Sequence, residues 1–393
     1  MSVTLIGCGC GVESLSLEAA AALEQAEVLI GAARLLEPWQ GEKTCVEAVM
    51  SKDIADAIRD HADKSACVLF SGDSGFYSGT RRLLPLLENE EAVVLPGLSS
   101  LQMLAARLKA PWQGWRLCSA HGVACDAVYE VCQGAPAFFL TGGKTGPAAL
   151  CRTLTDAGLG FLKVCVGENL GCEDERITRM TAQEAAAADF APLSVLLVEP
   201  APRPEKRAPG LPDSSFQRAE KVPMTKQEIR AAALSKLAVK PTDICWDIGA
   251  GTGSVAIELA LQAKAVYGVE RNADALKIAE ENRRALGAWN LHLIEGAAPE
   301  ALDGLPAPDA VFVGGSGGRL REILEKIHAA NPSVRICVSA IALETLHTAC
   351  AVLREKGYET EVCQIAVSRG RNAGDLTLML AQNPVWLITG TRV

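Results

Sequence analysis

Two α/β domains of similar size, joined by a proline-rich connector, are what this chain predicts, and three observations carry the prediction. Its 393 residues suit two domains of about 200 residues each. Short apolar runs alternate with helical stretches and glycine-rich turns, the pattern of mainly parallel sheets covered by helices. Residues 200–223 interrupt that pattern, with Pro200, Pro202, Pro204, Pro209, Pro212 and Pro223 set among charged and polar residues without periodicity. Such a stretch reads as an extended linker, stiffened where prolines cluster. The expected division is therefore a domain at 1–203, a linker at 204–222 and a domain at 223–393, the second domain's pattern starting near Leu211.

In the first domain, strand Val3–Ile6 runs into Gly7-Cys8-Gly9-Cys10-Gly11, followed by helix Leu17–Ala26 and strand Val28–Ile30. Polar helix Asp53–Ala62 precedes strand Ala66–Phe70 and the loop SGDSGFYSGT. Strand Ala92–Leu95 leads through Pro96-Gly97-Leu98-Ser99-Ser100 into a helix ending at Leu108. A further set covers 115–199: strands Arg116–Ser119, Ala137–Leu140, Lys163–Val166 and Val195–Glu199, with helix Pro147–Ala157.

The second domain is organised around Asp243–Arg271. An apolar run, Ile244–Ile248, turns through Gly249-Ala250-Gly251-Thr252-Gly253 into an amphipathic helix with Val255, Leu259 and Ala263 at four-residue spacing. A second apolar run, Ala265–Val269, ends on Glu270. Strand, glycine loop, helix, strand and acid in that order form half of a Rossmann-like nucleotide site. Glycines let the backbone approach a ligand, the helix N-terminus favours a negative group, and the acid suits a ribose diol. A dinucleotide fingerprint would need glycine at 254, where serine stands. Helix Ala273–Leu286, strands Leu291–Glu295 and Ala310–Val313, helix Arg319–Ala330, strand Arg335–Val338, helix Leu343–Lys356 and strands Glu361–Ala366 and Leu376–Ala381 follow.

Composition narrows the class. No apolar run reaches the roughly 18 residues a membrane helix needs, and MSVTLIGCGCG is too short and uncharged for a signal peptide. A cytoplasmic protein without membrane contact is expected. The net charge of −9 argues against nucleic acid as a partner. Fourteen cysteines include no C-x-x-C pair, so reduced thiols packed as small core residues, and no metal site, are expected.

Three motifs are decoys or local features. Gly72-Asp73-Ser74-Gly75 spells a serine-protease nucleophile motif, but only His61 precedes it and the domain reads α/β. Thr141-Gly142-Gly143-Lys144-Thr145 lacks the first glycine of a P-loop, Phe138 standing there, and reads as a tight turn. His121 is either a substrate contact or a local hydrogen bonder.

With these stretches placed, two resemblances emerge. LIGCGCG, SGDSGFYSGT, PGLSSLQMLAARL and GENLGCEDERI are similar to the successive motifs of the tetrapyrrole (corrin/porphyrin) methylase family, the class III S-adenosylmethionine (SAM) methyltransferases. Cys10 and Ser74 replace two turn-shaping prolines of that pattern. SAHG, with His121 and Gly122, is similar to the S-x-H-G of the subgroup acting on late precorrins. Asp247, Gly249, Gly251 and Gly253 match motif I of class I SAM methyltransferases. MTKQEIRAAAL, WDIGAGTGSVAIELA, YGVER, EGAAPEAL, PAPDAVFVGGSGG and NPVWLITG resemble the decarboxylating precorrin methyltransferase family. The resemblances cover nearly the whole chain in order, and both halves point to corrin-ring biosynthesis.

They imply a two-part tetrapyrrole methylase fold followed by a Rossmann-like class I fold, with one SAM per domain. In the second domain, the implied SAM contacts are Gly249, Ala250, Gly251, Thr252 and Gly253 for the methionine moiety and Glu270 for the ribose, with Arg271 beside it. Asp247 would orient the loop and the donor's amino group, Gly296 and Ala297 would line the adenine pocket, and Thr225 would close the site. In the first domain Gly7, Gly9, Gly11, Gly72, Asp73, Ser99 and Ser100 would form the SAM site. Candidates for catalysis or for holding substrate carboxylates are Asp73, His121, Arg319, Arg369 and Arg371, with the loop Gly314–Gly318 facing the ring. The implied substrate is a late precorrin or cobalt-precorrin, methylated at C5 by the first domain and at C15 by the second, which also removes the C12 acetate carboxyl. Self-association through the second domain is implied as well. The competing expectations are an RNA or protein methyltransferase, or a catalytic second half with a non-catalytic assembly module in front.

Overall fold

A computed structural model describes residues 2–10, 14–88, 90–143, 145–202, 209–220 and 222–392. The chain divides into two compact units, one built from 1–200 apart from 132–134, the other from 201–393 together with 132–134.

In the first unit, β1 (Ser2–Gly7), β2 (Val28–Gly31), β3 (Thr44–Glu47), β4 (Ala66–Phe70) and β5 (Glu91–Leu95) form a sheet in the order β3-β2-β4-β1-β5. It is parallel throughout. Successive residues alternate between its faces, so Val3, Leu5, Val28, Ile30 and Val68 enter one core cluster while Ile6, Leu29, Cys67 and Leu69 enter the other. Burial of both faces explains why these strands read as continuous apolar runs.

The second sheet departs from the parallel expectation. β6 (Arg116–Ser119), β7 (Ala137–Leu140), β8 (Lys163–Glu168), β9 (Arg176–Thr181) and β10 (Ser194–Val198) lie in the order β6-β7-β10-β8-β9. Only β6 and β7 pair in parallel; the other neighbours are antiparallel. The connection 169–175 is too short for the crossover a parallel pair requires, so β9 folds straight back on β8. Neither β3 nor β9 was expected from sequence, since both are half-exposed strands with polar residues.

The second unit is built on β11 (Ile244–Ile248), β12 (Ala265–Glu270), β13 (Leu291–Glu295), β14 (Ala310–Val313), β15 (Arg335–Ala340), β16 (Glu359–Ile365), β17 (Ser368–Ala373), β18 (Leu376–Ala381) and β19 (Val385–Thr391). Seven strands form one sheet, β13-β12-β11-β14-β15-β19-β16. The first five are parallel, and β19 pairs antiparallel with both β15 and β16. Strand order reverses between β11 and β14, the switch point where open α/β sheets place ligands. β17 and β18 form a separate hairpin.

Two expectations are corrected here. Helix Ser254–Ala260 is not amphipathic: all seven of its residues are buried, Ser254 and Glu258 included. Its polar side is covered by helix Gln227–Leu237 and by residues 209–217. The stretch 209–217, expected to lie in the linker, packs into the second unit, with Leu211 and Phe216 in the core and Asp213–Ser215 forming a short 3-10 helix. Residues 204–208 and 221 of the expected linker, and residue 203 before it, lie outside the described residues.

Polar partners explain both corrections. Glu258 accepts from the Gly210 amide at 2.5 Å, the Leu211 amide at 3.1 Å and Arg230 Nε at 2.5 Å. Arg230, wholly buried, also donates to the Leu211 and Thr225 carbonyls, each at 2.5 Å, and to Asp213 at 3.3 Å. Its guanidinium lies 4.6 Å from the centre of the Phe216 ring. Asp213 in turn accepts the Gln227 amide at 2.9 Å, at the start of helix Gln227–Leu237.

All fourteen cysteines are free thiols. Burial pushes Cys151 and Cys337 up to about 12, which suits inert core residues.

Candidate functional sites

In the first unit, the carboxyl ends of β1, β4 and β5 converge on one floor. The Cys8 amide donates to the Phe70 carbonyl at 2.8 Å, and Gly9 and Gly72 exchange backbone hydrogen bonds of 3.0 and 2.8 Å. Gly7 leaves no room for a side chain: a Cβ there would stand 2.7 Å from the Gly97 nitrogen and 2.8 Å from the Gly72 oxygen. Asp73 ties two loops together, accepting from the Gly75 amide at 2.8 Å and the Gly97 amide at 3.1 Å. Above this floor opens a cavity of about 700 Å3 whose lining includes Gly9, Cys10, Arg34, Asp73, Ser99 and His121.

The expected residues of this half thus come together, with distinctions. Gly72 and Ser100 also line the cavity, whereas Gly7 shapes the floor beneath it, and Gly11 lies outside the described residues. Ser99 caps helix Ser100–Leu108, its Oγ accepting from the Gln102 amide at 3.2 Å. Ser74 is buried and donates to the Leu95 carbonyl at 3.0 Å, so the protease-like motif presents no exposed nucleophile. That bond anchors the turn where the family pattern has proline. Gly142 and Thr145 exchange backbone hydrogen bonds of 3.3 and 3.2 Å, in keeping with the expected tight turn, and Lys144 lies outside the described residues. His121 lines the cavity against Gly142 and makes no hydrogen bond among the described residues. Sequence reading missed Arg34. Its place just past the carboxyl end of β2 was the available signal, because parallel sheets carry their sites at that edge.

In the second unit the glycine loop crosses the switch point. The Gly249 and Ala250 amides both donate to the Val269 carbonyl, at 2.9 and 3.1 Å, fixing the loop to the neighbouring strand. Gly251 has φ +55°, and a Cβ on it would lie 2.6 Å from the Pro223 carbonyl oxygen. The segment carrying Thr225 therefore passes directly over the loop. Glu270 accepts from the Gly251 amide through Oε2 and from the Asn272 amide through Oε1, each at 2.9 Å. A carboxylate has about four acceptor positions, so capacity for a ligand diol remains. The Gly296 amide donates to the Glu270 carbonyl at 3.0 Å, placing Gly296 and Ala297 beside the same strand end. Arg271 lies against Gly317 in the loop after β14.

Beneath the loop are two orphans. Asp247 is 1% exposed and neither carboxylate oxygen has a hydrogen-bond partner; the Thr252 hydroxyl, also buried, has none. A buried carboxylate without partners is costly; a cationic ligand group would satisfy it. Glycine cradle, strand-end acid and orphaned carboxylate together fit SAM, with its ammonium, sulfonium and ribose diol.

Burial pushes the Asp247 carboxyl from its ordinary value of 3.8 up to about 7, and the Glu270 charge adds to the rise. The folded protein therefore keeps this proton over a range where the unfolded chain has released it. Asp247 favours the fold fully below pH 3.8, and that contribution is lost as pH rises to about 7. The swing is on the order of 4 kcal/mol. Chemical denaturation of Asp247→Asn and wild type between pH 4 and pH 7 should show the variant free of this decline; parallel curves would refute the assignment.

The carboxylate-binding candidates fare unequally. Arg319 is engaged by Glu300, at 2.7 Å through two nitrogens, and by Glu322 at 2.5 Å. Arg369 is held by Glu228 at 2.6 Å and Asp213 at 3.1 Å. Arg371, on the exposed hairpin opposite Leu378, has no carboxylate partner among the described residues. Among these residues no helix is long and apolar enough to cross a membrane.

The two units define a class: a fusion of two methyltransferases. Residues 2–186 match the family model for tetrapyrrole (corrin/porphyrin) methylases, and residues 215–392 match that for a precorrin methyltransferase domain. A protein of Sinorhizobium sp. named precorrin-6Y C(5,15)-methyltransferase (decarboxylating) is 31% identical over 354 residues, 87% of this chain and 85% of that one. The second unit matches a probable cobalt-precorrin-6B C(15)-methyltransferase (decarboxylating) of Pyrobaculum calidifontis, 42% identical over 46% of this chain and 95% of that protein. A crystal structure of precorrin-6Y C5,15-methyltransferase from Geobacter metallireducens is 37% identical, covering 49% of this chain and 100% of its own, with a TM-score of 0.45. The chain belongs to the precorrin-6Y C(5,15)-methyltransferase (decarboxylating) family. It is a methyltransferase of cobalamin biosynthesis, in a family that uses SAM.

Proposed function

We propose that this chain methylates a late precorrin, or its cobalt form, at C5 through residues 1–203 and at C15 through residues 223–393, the second unit also removing the C12 acetate carboxyl. The observation that carries this reading is the presence of two separate glycine-shaped cradles at strand ends, one in each unit, within a chain aligned along 87% of its length with a bifunctional relative. Each unit binds one SAM, which supplies a methyl group on a sulfonium. Transfer to carbon is an in-line displacement, so the protein's task is to orient both reactants and exclude water. In the second unit Gly249–Gly253 holds the methionine moiety, Glu270 the ribose, Gly296 and Ala297 the adenine, and Thr225 closes the site while Asp247 meets the donor's ammonium. In the first unit Gly7, Gly9, Gly72, Asp73, Ser99 and Ser100 form the corresponding site, and Arg34 and His121 face the acceptor.

Self-association through the second unit belongs to this reading. The β17–β18 hairpin exposes Leu376, Leu378, Met379 and Leu380, the first at 68%, and a lone two-stranded sheet is marginal without a covering partner. The charge of −9 weighs against nucleic acid as the acceptor.

Incubation with SAM and a precorrin-6 substrate should add two methyl groups and remove one carbon dioxide by mass analysis. No mass change with either the metal-free or the cobalt ring would refute the reading. Asp73→Ala removes the carboxylate that joins the Gly75 and Gly97 loops, and should abolish C5 methylation while C15 methylation persists. Both methylations surviving would make the first unit an assembly module.

A further inference from the structure

The second unit holds a smaller cavity of about 140 Å3, lined by Val313, Gly314, Gly315, Ser316, Leu320, Val338, Ser339, Ala340, Ile341 and Thr345. A single water needs only about 10–15 Å3 of such space, so the cavity of about 140 Å3 has room for a short side arm of a ligand and none for a macrocycle. It lies at the carboxyl ends of β14 and β15, with Thr345 contributed by the first turn of helix Leu343–Glu355. Its wall is shared with the methyl-donor cradle: a Cβ on Gly249 would meet the Gly315 nitrogen at 2.7 Å. The cavity therefore adjoins the glycine loop at Gly249.

Two properties set this cavity apart. Its only polar side chains are the hydroxyls of Ser316, Ser339 and Thr345, and none of the three makes a side-chain hydrogen bond among the described residues. No ionisable side chain lines it. The arginine next to it in sequence, Arg319, is held by Glu300 and Glu322. Ile341, which lines it, is 71% exposed, a surface suited to the apolar face of a flat macrocycle.

We propose that this cavity receives the substrate's carboxymethyl arm and is where carbon dioxide is lost, an inference that rests on the decarboxylating reading above. In that step the bond between the methylene and carboxyl carbons breaks. Its electron pair passes through the methylene into the conjugated ring, carbon dioxide leaves, and a proton from water ends on the methylene carbon as a methyl group. Atoms and electrons balance without an oxidant. Negative charge leaves the carboxylate on the way to the transition state, so a guanidinium there would stabilise the starting state most and slow the reaction. Neutral hydroxyls orient the same group with weaker hold, and the apolar remainder of the wall leaves it poorly solvated. The carboxylate to be lost thus belongs in a cation-free pocket, while the substrate's other carboxylates have no such requirement.

The experiment compares Ser339→Ala, Thr345→Val and Ser339→Lys with wild type, in the full chain. Readouts are methyl transfer to C15, carbon dioxide release, and SAM affinity by calorimetry. Ser339→Ala and Thr345→Val should each slow carbon dioxide release about tenfold, well beyond any slowing of C15 methyl transfer and with SAM affinity unchanged, so a methylated product still bearing its carboxyl accumulates. Ser339→Lys should hold or lower KM for the precorrin while lowering kcat for carbon dioxide release. Loss of methyl transfer and decarboxylation in equal measure, or release at the wild-type rate, would overturn the pocket assignment alone. A wild-type enzyme that methylates no precorrin would overturn the parent reading, and this inference with it.

Discussion

Gly251→Ala should erase C15 methylation and leave C5 methylation standing. A left-handed residue with a side chain costs roughly 1–2 kcal/mol, and Gly251 has φ +55°. The larger effect is steric. The new Cβ would lie 2.6 Å from the Pro223 carbonyl, a backbone atom that cannot rotate away, so either the glycine loop or the segment above it must move. Both shape the donor cradle, and the Gly251 amide also holds Glu270 in place. The expected loss in SAM affinity at this site is about 100-fold, or about 2.7 kcal/mol. Calorimetry should report two SAM sites in wild type and one in the variant, with mass analysis showing a single added methyl group. Two sites and both methylations in the variant would show that the loop is not the donor site.

Arg230→Met should cost roughly 3–5 kcal/mol of stability, because it leaves Glu258 buried without its cation, while Asp213 loses one partner and keeps Arg369. Thermal unfolding of the second unit should shift down by on the order of 10 °C. The loss should also reach the donor site, since Arg230 holds the Thr225 carbonyl and the Leu211 carbonyl in the segment that covers the glycine loop. Lysine is no substitute: it lacks the planar fork that reaches these partners together. Arg230→Met with Glu258→Met should recover part of the loss, because no unpaired charge then remains at that position. Stability of Arg230→Met within about 1 kcal/mol of wild type, the ordinary effect of a point change, would show that the network does not hold the unit together.

Much of both candidate sites is legible in consecutive residues. Ile244–Ile248, the five-residue glycine loop, Ala265–Val269 and Glu270 announce their geometry because each step is local. Apolar runs make buried strands, glycines permit the turn, and the acid stands where the strand ends. The same holds for Gly7, Gly72 and Ser99, each at the end of a strand whose apolar run is plain. What escaped is non-local. Helix Ser254–Ala260 reads as amphipathic because periodicity records one buried face; it cannot record a second neighbour, here residues 209–217 and Arg230, that buries Glu258 on the other side. β19 was passed over because its place between β15 and β16 depends on pairing across a sheet.

Glu270 at its strand end could thus be read from neighbours along the chain, whereas the state of Asp247 could not. Its carboxylate is an ordinary acid in sequence, and it becomes a partnerless buried one only because helix Ser254–Ala260 and the sheet close over it. Arg319 and Arg369 show the converse: free cations in the sequence, they are claimed by Glu300 and Glu322, and by Glu228 and Asp213, once the chain is folded. Local geometry is written in neighbouring residues. Burial, pairing and the charge state that follows from them are properties of what the folded chain brings together.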